Sequence, residues 1–202
     1  MNKKVIGLII LSIVTTSFTS VNDKGKIVKV KEFQQFIDTI GLKFTMPSDY
    51  KETYIKEDNG DLWYCFAMKD KKADFEVRYT VFSLKPIIED YEKCKLDPNC
   101  TSVSPNVLYE GIIQANVLNM TGGQEWDIGA FPTQAVKNEF NADAGGSSFF
   151  EFNCGFGKGY KYGHMVYLHK DDIADVIITF MSNDKASHSE LMGKSFHALT
   201  FK

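Results

Sequence analysis

The chain has 202 residues, a net charge of −3 and 44% hydrophobic residues. This length and composition allow one ordinary domain with a buried core, and no internal repeat or low-complexity linker divides the chain. The acidic balance argues against nucleic acid as a partner. Arg78 is the only arginine, so the bidentate side chains that usually bind phosphates and carboxylates are nearly absent.

Residues 1–20 have the pattern of a cleavable signal peptide. Lys3 and Lys4 precede the uncharged run Val5–Val14, and small polar residues follow it. The run is shorter than the roughly 20 apolar residues that a membrane-spanning helix needs, and no second run appears. No cysteine lies near the cleavage point, so a bacterial lipid anchor has no acceptor. We expect a soluble exported protein, periplasmic or extracellular, with 21–202 as a single domain.

Four cysteines, Cys65, Cys94, Cys100 and Cys154, lie in a chain that is expected to reach an oxidising compartment, where thiols tend to pair. Turn residues separate Cys94 from Cys100, which favours a local bridge between them. Cys65 would then pair with Cys154. Free thiols and a zinc site are the alternatives, but the spacing of Cys94 and Cys100 is poor for zinc and no histidine is near.

The first part of the mature chain shows one helical pattern followed by strand patterns. The apolar residues that recur at helical spacing are Val30, Phe33, Phe36, Ile37 and Ile40. Gly41 follows them as a natural helix end. The segments with strand patterns are Leu42–Met46, Glu52–Glu57, Asp61–Met68 and Ala73–Leu84. Turns at Asn59-Gly60 and Lys69–Lys72 predict an antiparallel meander.

The second part alternates helices with strands. Pro86, Pro105 and Pro132 each begin a predicted helix. The first ends near Cys94, the second ends at Gly122-Gly123, and the third turns Ala135, Val136 and Phe140 inward. The predicted strands are Ser147–Asn153, His164–Lys170, Ile173–Met181 and a closing strand with Leu199 and Phe201. Asp184 and Ser187 are suitable caps for a final helix. The order of elements indicates an α+β sandwich.

Several of these segments together carry a family resemblance. They are Leu42-Lys-Phe-Thr-Met-Pro47, Phe140–Asp143 leading into Phe149-Phe150, Met165–Lys170 and Asp175–Phe180. In pattern, residues 30–202 resemble the PsbP-like fold group. The resemblance implies an α/β/α sandwich, an antiparallel sheet with helices packed on both faces. The Cys94–Cys100 loop and the helical stretch after Pro105 depart from the smaller members.

The resemblance implies a fold rather than a single activity. The PsbP-like group includes extrinsic photosystem subunits, nuclear-transport binders and exported bacterial proteins of unknown function. Most of these are similar to binding or assembly modules, so the fold does not settle the function.

The usual catalytic and metal-binding patterns are weak. The glycine-rich segment Gly155–Gly163 leads into a strand, whereas a phosphate loop leads into a helix. His164 and His169, five residues apart on a strand, point to opposite faces and cannot share a metal. Ser147-Ser148 suits a turn better than a nucleophile, and Asp171-Asp172 suits a hairpin turn. We therefore predict no metal and no cofactor.

The remaining candidate for a site is a set of aromatic and acidic residues from segments with loop-like patterns. Its members are Trp126, Asp127, Phe131, Asp143, Tyr160 and Tyr162. Aromatic rings with a few carboxylates suit a carbohydrate, a peptide or a protein surface. The alternative is that Trp126 and Phe131 fill the core beneath a loop.

These observations favour an exported non-catalytic binding or assembly module whose partner is an unknown protein or small ligand. An exported hydrolase with a site assembled from distant residues is the first alternative. The second is a homodimer that uses the edge or the face of the sheet. A hydrolase requires a concave pocket with converging titratable groups, whereas a binding module or a dimer does not.

Overall fold

The computed structural model describes residues 26–55, 62–157 and 159–202. The signal peptide expected at residues 1–20 and the turn at Asn59-Gly60 lie outside the described residues. The helices are α1 (Val30–Ile40), α2 (Lys85–Lys95), α3 (Tyr109–Thr121), α4 (Thr133–Phe140) and α5 (Lys185–Gly193). The strands are β1 (Lys26–Ile27), β2 (Leu42–Phe44), β3 (Tyr50–Glu52), β4 (Tyr54–Ile55), β5 (Phe66–Asp70), β6 (Phe75–Ser83), β7 (Gly129–Ala130), β8 (Ala144–Glu151), β9 (Tyr162–Lys170), β10 (Ala174–Ser182) and β11 (Leu199–Phe201).

The main sheet is antiparallel and has seven strands in the order β3-β5-β6-β10-β9-β8-β7. The central strand β10 is buried along its whole length and pairs with β6 and β9 over nine residues each. Two short ladders, β1 with β4 and β2 with β11, lie outside this sheet. The sequence predicted the antiparallel α+β arrangement, and the structure confirms it.

Alternation along β10 separates two cores on the two faces of the sheet. Val176 and Ile178 point to what we call the three-helix face, which packs against α1, α4 and α5. Ile177 and Met181 point to the other side, which we call the α3 face because α3 covers it. Helices therefore pack on both faces of the sheet.

Helix α1 shows how the local sequence specifies an element. Phe33 and Ile37 lie four residues apart on one side of the helix and are buried against the sheet. The ring of Phe33 stacks on Phe66 with centroids 4.4 Å apart. Gly41 ends the helix with φ of 102°, a backbone conformation that glycine adopts without strain. Phe36, which the sequence placed on the apolar side, is 44% exposed.

Other element boundaries differ in detail from the sequence predictions. The strand predicted from Asp61 begins only at Phe66 within the described residues. The helical stretch after Pro105 begins as a 3-10 turn, and α3 follows from Tyr109. The final helix is capped as predicted, because Asp184 accepts a hydrogen bond from the Ala186 backbone N–H at 2.9 Å.

One of the two candidate disulfides forms. Cys94 and Cys100 are bridged, with Cα atoms 5.3 Å apart. The predicted pairing of Cys65 with Cys154 is wrong, because both cysteines are free. Cys65 packs against the core of the three-helix face and Cys154 against the core of the α3 face. The sheet therefore separates their sulfur atoms.

The described part of the chain contains no helix that is long and apolar enough to cross a membrane.

Candidate functional site

A cleft of about 310 Å³ opens at the β7 edge of the sheet, beside the first turns of α3. Its aromatic lining consists of Tyr109, Phe131 and Tyr167. Its polar lining consists of Glu110, Gln114, Thr133 and Asp143. The volume lies at the lower end of the range of small-molecule sites, and mixed aromatic and polar linings are typical of them.

Tyr167 enters the cleft from the middle of β9. It lies opposite Gly146 in the β8–β9 ladder. A Cβ atom at Gly146 would lie 2.7 Å from Cε1 and 2.9 Å from the hydroxyl of Tyr167. The glycine therefore lets the tyrosine ring lie against β8. Burial, together with the charge of Glu110, raises the pKa of Tyr167.

Tyr109, the first residue of α3, lies over two rings of β9. Its ring is stacked on His169 with centroids 4.3 Å apart, and lies 6.0 Å from the ring of Tyr167. His169 and Tyr167 are two residues apart, so both point to the α3 face. Tyr109 therefore contacts both the cleft and the buried side chain of His169.

His169 is held between two carboxylates. Its Nδ1 lies 2.6 Å from Asp175, its direct partner on β10, and its Nε2 lies 2.9 Å from Asp171 in the following turn. Burial of the ring opposes its positive charge, but the hydrogen bonds to Asp175 and Asp171 outweigh burial and raise the pKa of His169. The side chain is thus stabilised as an imidazolium.

This arrangement does not suit base catalysis. A general base needs a free ring nitrogen near the proton that it accepts, and both nitrogens of His169 face carboxylates. No serine, threonine or cysteine of the described residues donates a hydrogen bond to this imidazole. Within the described ranges there is also no group of three or more residues that could hold a metal ion. His169 instead stabilises the β9–β10 hairpin through its hydrogen bonds to Asp175 and Asp171.

Of the two carboxylates that line the cleft, Asp143 has an ion-pair partner and Glu110 has none among the described residues. Asp143 forms an ion pair with Lys137 at 2.9 Å and accepts a hydrogen bond from the Asp171 backbone N–H. Burial opposes the charge of Asp143, but these two contacts outweigh it and lower its pKa. Among the described residues Glu110 has no ion-pair partner, and it accepts a hydrogen bond from the Tyr109 hydroxyl at 3.5 Å.

The structure separates the six site residues that the sequence predicted. Phe131 and Asp143 both line the cleft. The Phe131 ring also packs against Phe196 and the core of the three-helix face, as the alternative of a core role predicted. Trp126, which is 37% exposed, lies with Asp127 in the segment before β7 and does not line the cleft. Their ligand-binding role stays a prediction.

The two predicted tyrosines lie elsewhere. Tyr160 is buried, with its hydroxyl 3.3 Å from Glu76. Tyr162 stacks near Phe149, whose ring also meets His188 of α5. These contacts place Tyr160 in the core of the α3 face and Tyr162 beside α5, so neither shares the cleft with Phe131.

Sequence reasoning missed Tyr109 and Tyr167. Tyr167 lies inside a strand pattern and Tyr109 inside a helical one, so both resemble core residues. The signal that marks the site is Gly145-Gly146, which comes directly before the predicted strand Ser147–Asn153 and belongs to β8 in the structure. Glycine in a strand often accompanies the close approach of another group.

A second buried polar group lies on the same face, around Arg78. Its guanidinium lies between the rings of Tyr64 and Phe156, at 4.6 and 4.7 Å from their centroids. It donates hydrogen bonds to the Glu76 carboxylate at 2.7 Å and to the backbone carbonyl of Phe156. The arginine thereby holds the glycine-rich segment against the sheet, and that segment continues into β9 as predicted.

The fold and the cleft define an α+β domain whose antiparallel sheet is covered by helices on both faces and carries an aromatic, acidic cleft at one edge. Comparison of the chain with protein-family models and with curated proteins finds no match.

Proposed function

We propose that this protein is an exported, non-catalytic ligand-binding module of the PsbP-like group, and that its ligand occupies the cleft beside α3. The observation that carries the proposal is the cleft itself, because three aromatic and four polar residues line it in a volume suited to a small molecule.

The state of His169 supports binding over hydrolysis. A hydrolase would need an activated nucleophile or a free base beside the cleft. Both nitrogens of His169 are occupied by Asp175 and Asp171, and Tyr109 covers the ring. The resemblance to the PsbP-like group adds support, since most of its members are similar to binding or assembly modules.

The test is a fragment screen by NMR on the purified protein, with one variant that fills the cleft. Gln114 lines the cleft and is exposed, so Gln114→Trp occupies the space without disturbing the core. Asn119→Trp, at an exposed position of the same helix that does not line the cleft, is the matched control. We expect bound fragments to shift resonances of Tyr109 and Tyr167 in the wild type and in Asn119→Trp, but not in Gln114→Trp.

Fragments that bind elsewhere, or equally well to both variants, would contradict the proposal.

The hydrolase and the homodimer stay predictions from the sequence. A hydrolytic activity of the purified protein would favour the first. A dimeric mass in sedimentation equilibrium would favour the second. The export signal is tested separately by N-terminal sequencing of the protein secreted from its host.

A further inference from the structure

The cleft is lined by aromatic residues and lacks lining cations among the described residues. Tyr109, Phe131 and Tyr167 line it, and no lysine, arginine or histidine of the described residues does so. The face of an aromatic ring carries partial negative charge and attracts a cation within about 6 Å of its centroid. Rings grouped around one space are the arrangement that proteins use for organic ammonium groups.

The carboxylates add to this preference. Asp143 is neutralised by Lys137, whereas Glu110 faces the same space without an ion-pair partner among the described residues. His169 lies beneath Tyr109 between Asp171 and Asp175, which compensate a positive charge on its ring. The surroundings of the cleft therefore keep an excess of negative charge.

We infer that the ligand of this cleft carries an organic ammonium group, which contacts the rings of Tyr109 and Tyr167 and is neutralised by the Glu110 carboxylate. The inference rests on the proposed ligand-binding function and names the chemical class of the ligand. An anionic ligand would meet the Glu110 carboxylate, with no lining cation of the described residues to offset it. A bare metal ion lacks a set of three ligating side chains within the described ranges.

The test compares choline with its neutral isostere, in which carbon replaces the quaternary nitrogen, by isothermal titration calorimetry. The two probes share size and shape and differ in charge. We expect choline to bind about tenfold more tightly than the isostere, a difference typical of a partly desolvated cation–π contact. Added salt should weaken the binding of choline and leave that of the isostere unchanged.

Two variants separate the contributions of charge and ring. Glu110→Gln should weaken choline binding about fivefold, as expected for one partly exposed carboxylate. Tyr109→Leu should weaken choline more than the isostere, because it keeps an apolar side chain and removes the ring face. Glu89→Gln, on the exposed side of α2, is the matched control and should bind choline like the wild type.

Equal affinity for the two probes, or no effect of Glu110→Gln, overturns the ammonium inference. If the fragment screen still detects binding in the cleft, the proposed function survives that result. If neither probe binds and Gln114→Trp changes nothing in the fragment screen, both proposals fail together.

Discussion

Gly146 shows at the scale of one residue how the cleft depends on the absence of a side chain. Its β8 position faces Tyr167 of β9 and also approaches the backbone carbonyl of Gly129 on β7. A methyl group there would meet the tyrosine ring on one side and that carbonyl on the other. The position of the ring in the cleft is therefore set by its partner strand as much as by the tyrosine itself.

We expect Gly146→Ala to destabilise the protein by about 1–3 kcal/mol, because an added methyl group in a closely packed site forces its neighbours apart. It should also displace the ring of Tyr167, which the NMR resonances of that side chain will report. Urea denaturation measures the free energy of unfolding.

Gly111→Ala is the matched control for this substitution. Gly111 lies inside α3 with no atom within 4 Å of an added Cβ, and it is exposed. Alanine in an exposed helix interior should stabilise the protein by about 0.5–1 kcal/mol. If the two alanine variants behaved alike, the steric role of Gly146 would be disproved.

Among the described helices, α2 depends least on the core. None of its residues is buried. The Cys94–Cys100 bridge joins its last turn to the segment that follows, where Leu96 is 86% exposed. A helix without buried side chains has little tertiary stabilisation, so the covalent bond is its main constraint.

Removing the bridge with Cys94→Ser and Cys100→Ser should therefore act on α2 alone. For a loop of this size the chain-entropy model gives about 2 kcal/mol. We expect amide protection within α2 to fall by about thirtyfold in native-state hydrogen exchange, with β10 protected as before.

Cys154→Ser, which removes a free thiol, is the control and should leave α2 protection unchanged. An equal loss of protection in α2 and β10 would show instead that the bridge stabilises the whole fold.

At the scale of the whole molecule, two buried histidines on opposite faces of the sheet have pKa values that are shifted in opposite directions. His188 packs against Phe149 and His164 on the three-helix face, and burial, with repulsion from His164, lowers its pKa to about 4. His169 on the α3 face has a raised pKa, because its hydrogen bonds to carboxylates outweigh burial. As a result, stability should fall toward acid pH because of His188 and toward alkaline pH because of His169. We call these two parts of the pH profile the acid limb and the alkaline limb.

The signs follow from proton binding in the folded and unfolded states. Between pH 6.5 and 4 the unfolded chain binds a proton at His188 that the folded chain does not, so stability falls as the pH falls, by about 3 kcal/mol in total. Above pH 6.5 the contribution of His169 is lost as the pH rises through its folded pKa.

Stability measured by urea denaturation should therefore have a maximum near pH 6.5. His188→Gln should remove most of the acid limb and leave the contribution of His164, whose pKa is also lowered by burial. His169→Gln should flatten the alkaline limb above the maximum. His197→Gln, at an exposed position of the chain, is the control and should keep both limbs. An unchanged acid limb in His188→Gln would refute the assignment.

Local signals determined much of this fold from the sequence. The spacing of Phe33 and Ile37, the stop at Gly41 and the cap at Asp184 act within a few residues, so they specify α1 and α5 wherever the chain folds. The bridge between Cys94 and Cys100 was predictable for the same reason, since a short loop keeps its ends close.

Only the tertiary structure decided which distant residues meet. Cys65 and Cys154 fall on opposite faces, and the face of a strand residue depends on its register in the whole sheet. The cleft draws Tyr109 from α3, Asp143 from the turn before β8, and Tyr167 from β9. Periodicity marks such residues as apolar or polar, but strand order and helix packing determine their neighbours. The sequence by itself thus determined the elements and their class, and tertiary packing decided the site.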